Sequence, residues 1–246
     1  MIPKNHPRFN SLLQRHMIEE GYIKGITHIQ GLIAQGRGEA FDYILGEKTN
    51  SFARHSIKAA AALLLLAERP VISVNGNVAA LCPESVARLS KELDAKVEVN
   101  LFYRGRERVA KIVKHLKKYG INALGENAKK KVPMLGSKRA MVEENGIYMA
   151  DVVLVMLEDG DRTEMLRKMG KKVIAVDLNP LSRTAKKADI TIVDNVVRAL
   201  PAIAKEAGVM KMKKIGELEM VIRGFSNKKN LKEAENHVRK FTCRKK

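Results

Sequence analysis

The sequence predicts an α/β fold built on a doubly wound, mostly parallel sheet, and three observations carry that expectation. Five short β-branched runs, 71–74 (VISV), 97–101 (VEVNL), 151–156 (DVVLVM), 172–177 (KVIAVD) and 189–193 (DITIV), are almost continuously apolar, as strands covered on both faces are. Segments with helical character and crossover length, 84–93, 107–119 and 162–169, lie between them. Such a β-α-β-α order closes into an open parallel sheet through right-handed connections. Finally, 246 residues of which 45% are hydrophobic can bury a full core, so disorder along the whole chain is excluded. In sheets of this kind ligands bind beyond the carboxyl ends of the strands, which puts the candidate chemistry in the segments that follow each run.

Ahead of the first strand the chain reads as helical over 11–24, after a cap at Asn10, then as a Gly-rich turn, then as a helix over 52–68. The last of these is apolar almost all round, which predicts burial against the sheet or a second subunit, and Pro70 closes it. Beyond Gly208 the helical signals are mixed and the apolar stripe is weak, as in an appended helix or a partly ordered tail. The organisation expected is an N-terminal helical region (1–70), an α/β core (71–207) and a basic C-terminal extension (208–246).

Composition narrows the function classes. The longest apolar stretch, 59–67 (AAAALLLLA), is far short of the roughly 20 residues that span a bilayer. The Met1 start lacks a charged-then-apolar signal region, so a cytoplasmic location is expected. Cys82 and Cys243 are the two cysteines, too few for a disulfide framework or a four-thiolate zinc site, and both are taken as reduced. The 46 Lys and Arg outnumber 27 Asp and Glu, a formal net charge of +19, which points to polyanionic partners. A nucleic-acid-binding protein with an incidental nucleotide-site fold is the alternative reading. Against it stand the absence of Trp, 4% aromatics and the lack of any zinc-finger, RRM or KH pattern. A Lys/Glu-rich solvated surface accounts for many of the lysines in either case.

Four segments could carry chemistry. In 31–43 (GLIAQGRGEAFDY) the GxxxxG spacing imitates a phosphate loop, but Arg37 and Gly38 stand where Lys and Ser/Thr are needed, so a P-loop is rejected. Arg37 between two glycines is an anion candidate, since a guanidinium offers paired donors to phosphate or carboxylate; an ordinary surface turn is the competing explanation. Asn75, Gly76 and Asn77 follow the first strand and can form a nest for oxygen atoms, or simply a strand-to-helix turn. Glu158, Asp159 and Asp161 beside Arg162 could gather a divalent cation or orient an amine, although Asp161 also stands where acidic residues favour a helix start. Asp177, Leu178, Asn179, Ser182, Arg183 and Thr184, with Asn195 and Val196 after the last strand, combine a ribose-binding carboxylate with phosphate donors; a capped Pro turn explains the same residues. There is no GxSxG, no HExxH and no metal-ligand spacing of His or Cys, so no protein metal site is expected.

These segments stand in a fixed order with long, unusual strings: PKNHPRFNSLLQR, GLIAQGRGEAFDYILGE, AAAALLLLAERPVISVNGNVAAL, VEVNLFYR, ADVVLVMLEDGDRTE and VIAVDLNPLSRTAKKADITIVDNVVRALP. Over residues 2–204 the chain closely resembles the archaeal 4-phosphopantoate:β-alanine ligases, also called phosphopantothenate synthetases. The resemblance implies a homodimer and a Rossmann-like sheet, with 71–207 as the nucleotide-binding core and 1–70 contributing to the active site. It also implies an ATP-dependent, AMP-forming condensation of 4-phosphopantoate with β-alanine to 4'-phosphopantothenate in coenzyme A biosynthesis, with pyrophosphate released. Carried over residue by residue, Arg15 and Arg37 are N-terminal ATP contacts, and Asp177, Leu178, Asn179, Arg183, Thr184, Asn195 and Val196 the C-terminal ones. Asn75, Gly76 and Asn77 line the acyl side, with Arg37, Asn77 and Arg162 as catalytic candidates. Mg²⁺ is expected on the ATP phosphates rather than on protein ligands. Nucleic acid and membrane are not expected partners.

Overall fold

The computed structural model describes residues 3–242; the Met1 start and the thiol of Cys243 lie outside them. Five parallel strands form the main sheet: β1 (Pro70–Val74), β2 (Lys96–Val99), β5 (Val152–Met156), β6 (Lys172–Val176) and β7 (Ile190–Ile192), in the spatial order β2-β1-β5-β6-β7. A small antiparallel pair, β3 (Lys130–Lys131) with β4 (Met141–Val142), lies apart from it. The five runs read from sequence are the five strands: 151–156, 172–177 and 189–193 are trimmed by one or two residues, 71–74 is extended by Pro70, and 97–101 is shifted to start at Lys96 and end at Val99. After β2 the chain returns to the other side of β1 to begin β5, so the strand order reverses between β1 and β5, and the crevice there is the binding position of a doubly wound sheet.

Alternation along each strand feeds two cores. Val152, Leu154 and Met156 of β5 face a layer made by α3 (Ser51–Leu65), α5 (Pro83–Leu93), α6 (Arg106–Lys117) and α9 (Val196–Met210). Val153 and Val155 face the opposite layer, which holds Leu166 of α7 (Gly160–Lys168) and Ile147. Both faces are therefore covered, the physical reason the strands read as continuous apolar runs. The apolar helix expected over 52–68 is α3, with Ala59, Ala60, Ala61 and Ala62 fully buried. Its cover is β7, α9, α10 (Ile215–Arg223) and α11 (Asn227–Thr242) of the same chain, so its apolar character gives no argument for a second subunit.

The extension after Gly208 is helical and packed. α9 runs through the 207/208 boundary, α10 lies on α3, and α11 touches α2 (Ile29–Leu45), α3, β7 and the short helix α8 (Arg183–Lys187). The end strand β7 would expose backbone polar groups along its free edge, a template for unwanted pairing. Two side chains of α11 cover it: Asn227 Oδ1 accepts from the Thr191 N–H (2.8 Å) and Asn230 Nδ2 donates to the Thr191 carbonyl (3.0 Å).

The N-terminal region differs from the expectation in one place that matters. α1 (Phe9–Ile23) matches the first predicted helix, although Arg8 rather than Asn10 precedes it and no side chain caps it. The segment read as a Gly-rich turn is the interior of α2, capped by His28 Nδ1, which accepts from the Gln30 N–H, and closed by left-handed Gly46 (φ 87°). Gly31, Gly36 and Gly38 therefore cost helix propensity, about 1 kcal/mol each, and Gly36 faces open space. At Gly31 a Cβ would collide with the Asn77 side chain, and at Gly38 it would touch Leu178.

Glu98 of β2 anchors the segment that leads from the β3–β4 pair into β5. It is fully buried, with Oε1 accepting from the Glu143 N–H (3.1 Å) and Oε2 from the Ile147 N–H (2.7 Å). Burial pushes its carboxyl up to about 7, against the pull of those two N–H groups and of Arg162. The folded-state value lies above the unfolded one, so the folded protein holds a proton that the unfolded chain releases between the two. This contribution is most favourable to folding at low pH and is lost as pH rises towards 7 and above. Urea denaturation across pH 5–8 should show the wild type losing on the order of 1–3 kcal/mol more than Glu98→Gln over that span; parallel profiles would mean that Glu98 is not the titrating group.

Candidate active site

The crevice between β1 and β5 opens at their carboxyl ends, and α2 lies across it. Asn75 ends β1 and caps α4 (Gly76–Leu81), its Oδ1 accepting from the Val78 N–H (3.1 Å), while its Nδ2 donates to the Met156 carbonyl at the end of β5 (2.8 Å). One side chain thus ties the two strand ends together. Gly76 has no room for a Cβ, which would strike the Ile26 carbonyl. Asn77 Nδ2 donates to the Gly31 carbonyl (2.9 Å), fastening α4 to the first turn of α2. Leu157, directly after β5, holds a left-handed backbone (φ 52°), a costly conformation for a leucine that surrounding structure must enforce.

Two cavities meet at this turn, sharing Ala34 and Leu157 as walls. The first, about 240 Å³, is lined by Arg37, Glu158, Asp177, Leu178, Asn179 and Thr184 among others. The second, about 140 Å³, is lined by His28, Asn75, Asn77, Tyr103, Arg108 and Arg139 among others. The first combines a cation with a carboxylate at a strand end. Asp177 accepts from the Asn179 N–H (2.9 Å) and from Ser182 Oγ (2.5 Å). Burial raises its pKa, opposed by Ser182, the Asn179 N–H and nearby Arg37. Ser182 also caps α8 through the Ala185 N–H (2.9 Å), and Thr184 Oγ1 donates to the Glu158 carbonyl (2.7 Å), binding α8 to the end of β5. A nucleotide's phosphates at Arg37 and its hydroxyls at Asp177 would suit these groups.

Between the cavities lies a buried charge cluster. Glu158 is held by Arg139 Nη1 (2.8 Å) on one side and Arg162 Nη1 on the other. Burial pushes its pKa up, while Arg139 and Arg162 pull it down. Arg139 also reaches Asp159 Oδ2 (3.0 Å) and Asn100 Oδ1 (3.3 Å). Arg162 is fully buried, with its Nε and Nη2 lacking a hydrogen-bond partner among the described residues. Asp159 caps α7, accepting from the Arg162 N–H (2.8 Å), and Asp161 pairs with Arg183 (2.6 Å) at the surface. The carboxylates read as a cation-gathering group are thus each matched to an arginine, and the described residues contain no His/Cys/Asp/Glu group that could hold a metal ion.

The structure brings Arg37, Asp177, Leu178, Asn179 and Thr184 to the first cavity and Asn75, Gly76 and Asn77 to the second. It does not bring all the other candidates there. Arg162 lies beneath both, and Arg183 points outward to Asp161. Asn195 caps α9 and donates to Gln14 Oε1 (3.0 Å) and Asp42 Oδ2 (2.8 Å) in a separate hollow of about 360 Å³ at the α1–α2–α9 junction. Val196 is buried beside it. Arg15 is exposed and paired with Glu39 (2.5 Å). Sequence reasoning passed over Arg108, on the flank of the predicted crossover helix, and Arg139, in a stretch without periodicity; an isolated arginine in either setting carries no signal.

Residues 52–241 match the family model described as phosphopantothenate/pantothenate synthetase. Three relatives are each named 4-phosphopantoate--beta-alanine ligase. That of Thermococcus onnurineus is 55% identical over 240 residues, covering 97% of this chain and 92% of the relative. That of Methanosarcina mazei is 52% identical over 238 residues, 96% and 94%, and that of Methanospirillum hungatei is 48% identical over 224 residues, 91% and 92%. With a family model matching most of its length and such relatives aligned nearly end to end, the chain belongs to the phosphopantothenate/pantothenate synthetase family.

Proposed function

We propose that this protein is a cytoplasmic, ATP-dependent ligase that joins 4-phosphopantoate to β-alanine, giving 4'-phosphopantothenate for coenzyme A synthesis with release of AMP and pyrophosphate. The observation that carries the reading is the pair of cavities meeting at Ala34 and Leu157: a nucleotide in one and an acid in the other would bring carboxylate and α-phosphate to a common wall. The acid's carboxylate oxygen attacks the α-phosphorus as the α–β phosphoanhydride bond breaks, releasing pyrophosphate. The β-alanine amine then attacks the acyl carbon, loses a proton and expels AMP. Neither step needs a covalent enzyme group, so positioning and charge stabilisation supply the catalysis.

In this reading Arg37 stabilises charge on the triphosphate, and Asp177, Leu178, Asn179 and Thr184 hold the nucleoside. Arg183 reaches the phosphates by exchanging Asp161 for them, and Arg15, Asn195 and Val196 complete the nucleotide side from the α1–α2–α9 junction. Asn75, Gly76 and Asn77 shape the acid side. Arg162 acts as a positioning residue through Glu158. A Mg²⁺ carried on the triphosphate asks for no ligand from this chain, in keeping with carboxylates already committed to arginines, and no step above is routed through it. Exposed Ile23, Ile29 and Ile33 on α1 and α2 form the kind of apolar surface a second copy would cover, so a homodimer belongs to the same proposal.

Product analysis with ATP, 4-phosphopantoate and β-alanine should return AMP and pyrophosphate in equal amounts with the amide; ADP and phosphate instead would overturn the adenylate route. Arg37→Lys keeps the charge but loses the paired donors. A fall of at least about tenfold in kcat/KM, near 1.4 kcal/mol of transition-state stabilisation, is expected from steady-state rates. Wild-type kinetics in a folded variant would remove Arg37 from the site.

A further inference from the structure

Resting on that reading, we infer that Arg108 recognises the phosphate of the acid substrate and thereby sets the preference for a phosphorylated over an unphosphorylated hydroxy acid. Arg108 lines the acid cavity and makes no hydrogen bond or ion pair among the described residues; its Nε is buried without a partner. Burial lowers its pKa, and no carboxylate stands near enough to raise it.

Among the described residues every other shielded arginine has a partner for at least one of its nitrogens, although Arg104 Nη1 and Arg162 Nε and Nη2 are also buried unpaired. Arg139 and Arg162 hold Glu158, Arg198 holds Asp42 and Asp194, and Arg104 donates to the Gly125 carbonyl. A cation taken partly out of water without a counter-charge is destabilising. Its place in the fold sharpens the conflict, for Arg108 is in the first turn of α6, a helix end with no side-chain cap, where the backbone dipole favours anions. An entering dianion would reverse both penalties, and the guanidinium fork would meet two phosphate oxygens at once.

The two arginines of the cavity also define an orientation. Arg139 is bonded to Glu158, which lines the nucleotide cavity, so its end of the pocket is the reacting end. Arg108, in the same lining, bonds to no group of the nucleotide cavity. Leu101 and Phe102 add apolar wall for the dimethyl carbon of the acid, and His28 stacked on Tyr103 (ring centroids 4.4 Å apart) forms part of the remaining lining. The carboxylate would therefore face the α-phosphate with the phosphate at Arg108.

The test is steady-state kinetics of wild type, Arg108→Ala and Arg108→Lys with 4-phosphopantoate and with pantoate as alternative acids. Arg108→Ala should raise KM for 4-phosphopantoate by about 100-fold, lower the kcat/KM ratio between the two acids by a similar factor, and leave KM for ATP within about twofold. Arg108→Lys should recover part of the loss. An unchanged ratio in a folded Arg108→Ala enzyme overturns the inference alone, whereas a wild type that condenses neither acid removes the proposed function and this inference with it. Should turnover of Arg108→Ala be too slow to measure, calorimetry with 4-phosphopantoate decides: lost acid binding with intact ATP binding supports the assignment, and wild-type affinity overturns it.

Discussion

Glu158 sits where the strand order reverses, its carboxylate shut away from solvent between Arg139 and Arg162, and the geometry of both cavities depends on that clasp. Buried ion pairs add little net stability, because desolvation cancels much of the attraction; removing one partner, however, leaves an uncompensated charge at a cost of roughly 3–5 kcal/mol. The cluster is therefore better understood as a positional constraint. Arg139 arrives from a short 3-10 helix (Lys138–Ala140) before β4, Arg162 from α7 and Glu158 from the end of β5, so three separate elements are locked at one point. Asn100 reinforces it, donating to the Arg139 and Met141 carbonyls (both 3.1 Å). A crevice that must handle polyanions gains from this arrangement, since Arg139 lines its wall while its charge is balanced from within by Glu158.

The strands were legible in the sequence because burial on both faces leaves no alternation to misread, and the location of the site followed from the sheet alone. Asp177 and Asn75 could be placed at strand ends for the same reason. What could not be read was anything that depended on two distant segments meeting. Gly31 looks like a turn residue until Asn77 is seen against it, and Arg139 has no local pattern at all, its role being set by Glu158 and Asn100 far along the chain. Arg108 illustrates a different limit. On a helical wheel it is a flank position next to buried Val109, indistinguishable from a solvated arginine until the absence of any counter-charge is visible.

The basic extension is tied to the fold by contacts that composition does not reveal. Its mixed helical signals and weak apolar stripe leave an appended helix and a partly ordered tail open; the segment is helical, Asn227 and Asn230 place their amides on the free edge of β7, and Ala234 is buried with Leu45, Phe52 and Leu178. That small cluster joins α11 to α2 and α3 and to the loop carrying Asp177 and Asn179. The extension accordingly reaches the cavity lined by Arg37 and Asp177 indirectly, through the cluster that holds Leu178. Charge count is blind to this because the contacts are made by two amides and an alanine.

α2 brings these constraints together. Its three glycines make it a poor helix in isolation, so its order depends on what it touches: Asn77 at Gly31, Leu178 at Gly38, and the Asp42–Arg198 pair near its end. Each of those partners belongs to a loop at the carboxyl end of a strand or to the helix that follows it. At Gly31 a small residue is needed, because a Cβ would strike the Asn77 side chain, and the close approach brings Arg37 near the Asp177 carboxylate and puts Ala34 between the two cavities. The glycine at position 31 is therefore the consequence of laying a helix flat across a crevice, and the intrinsic helix propensity lost there is the cost of bringing a cation to the wall of the cavity that Asp177 lines.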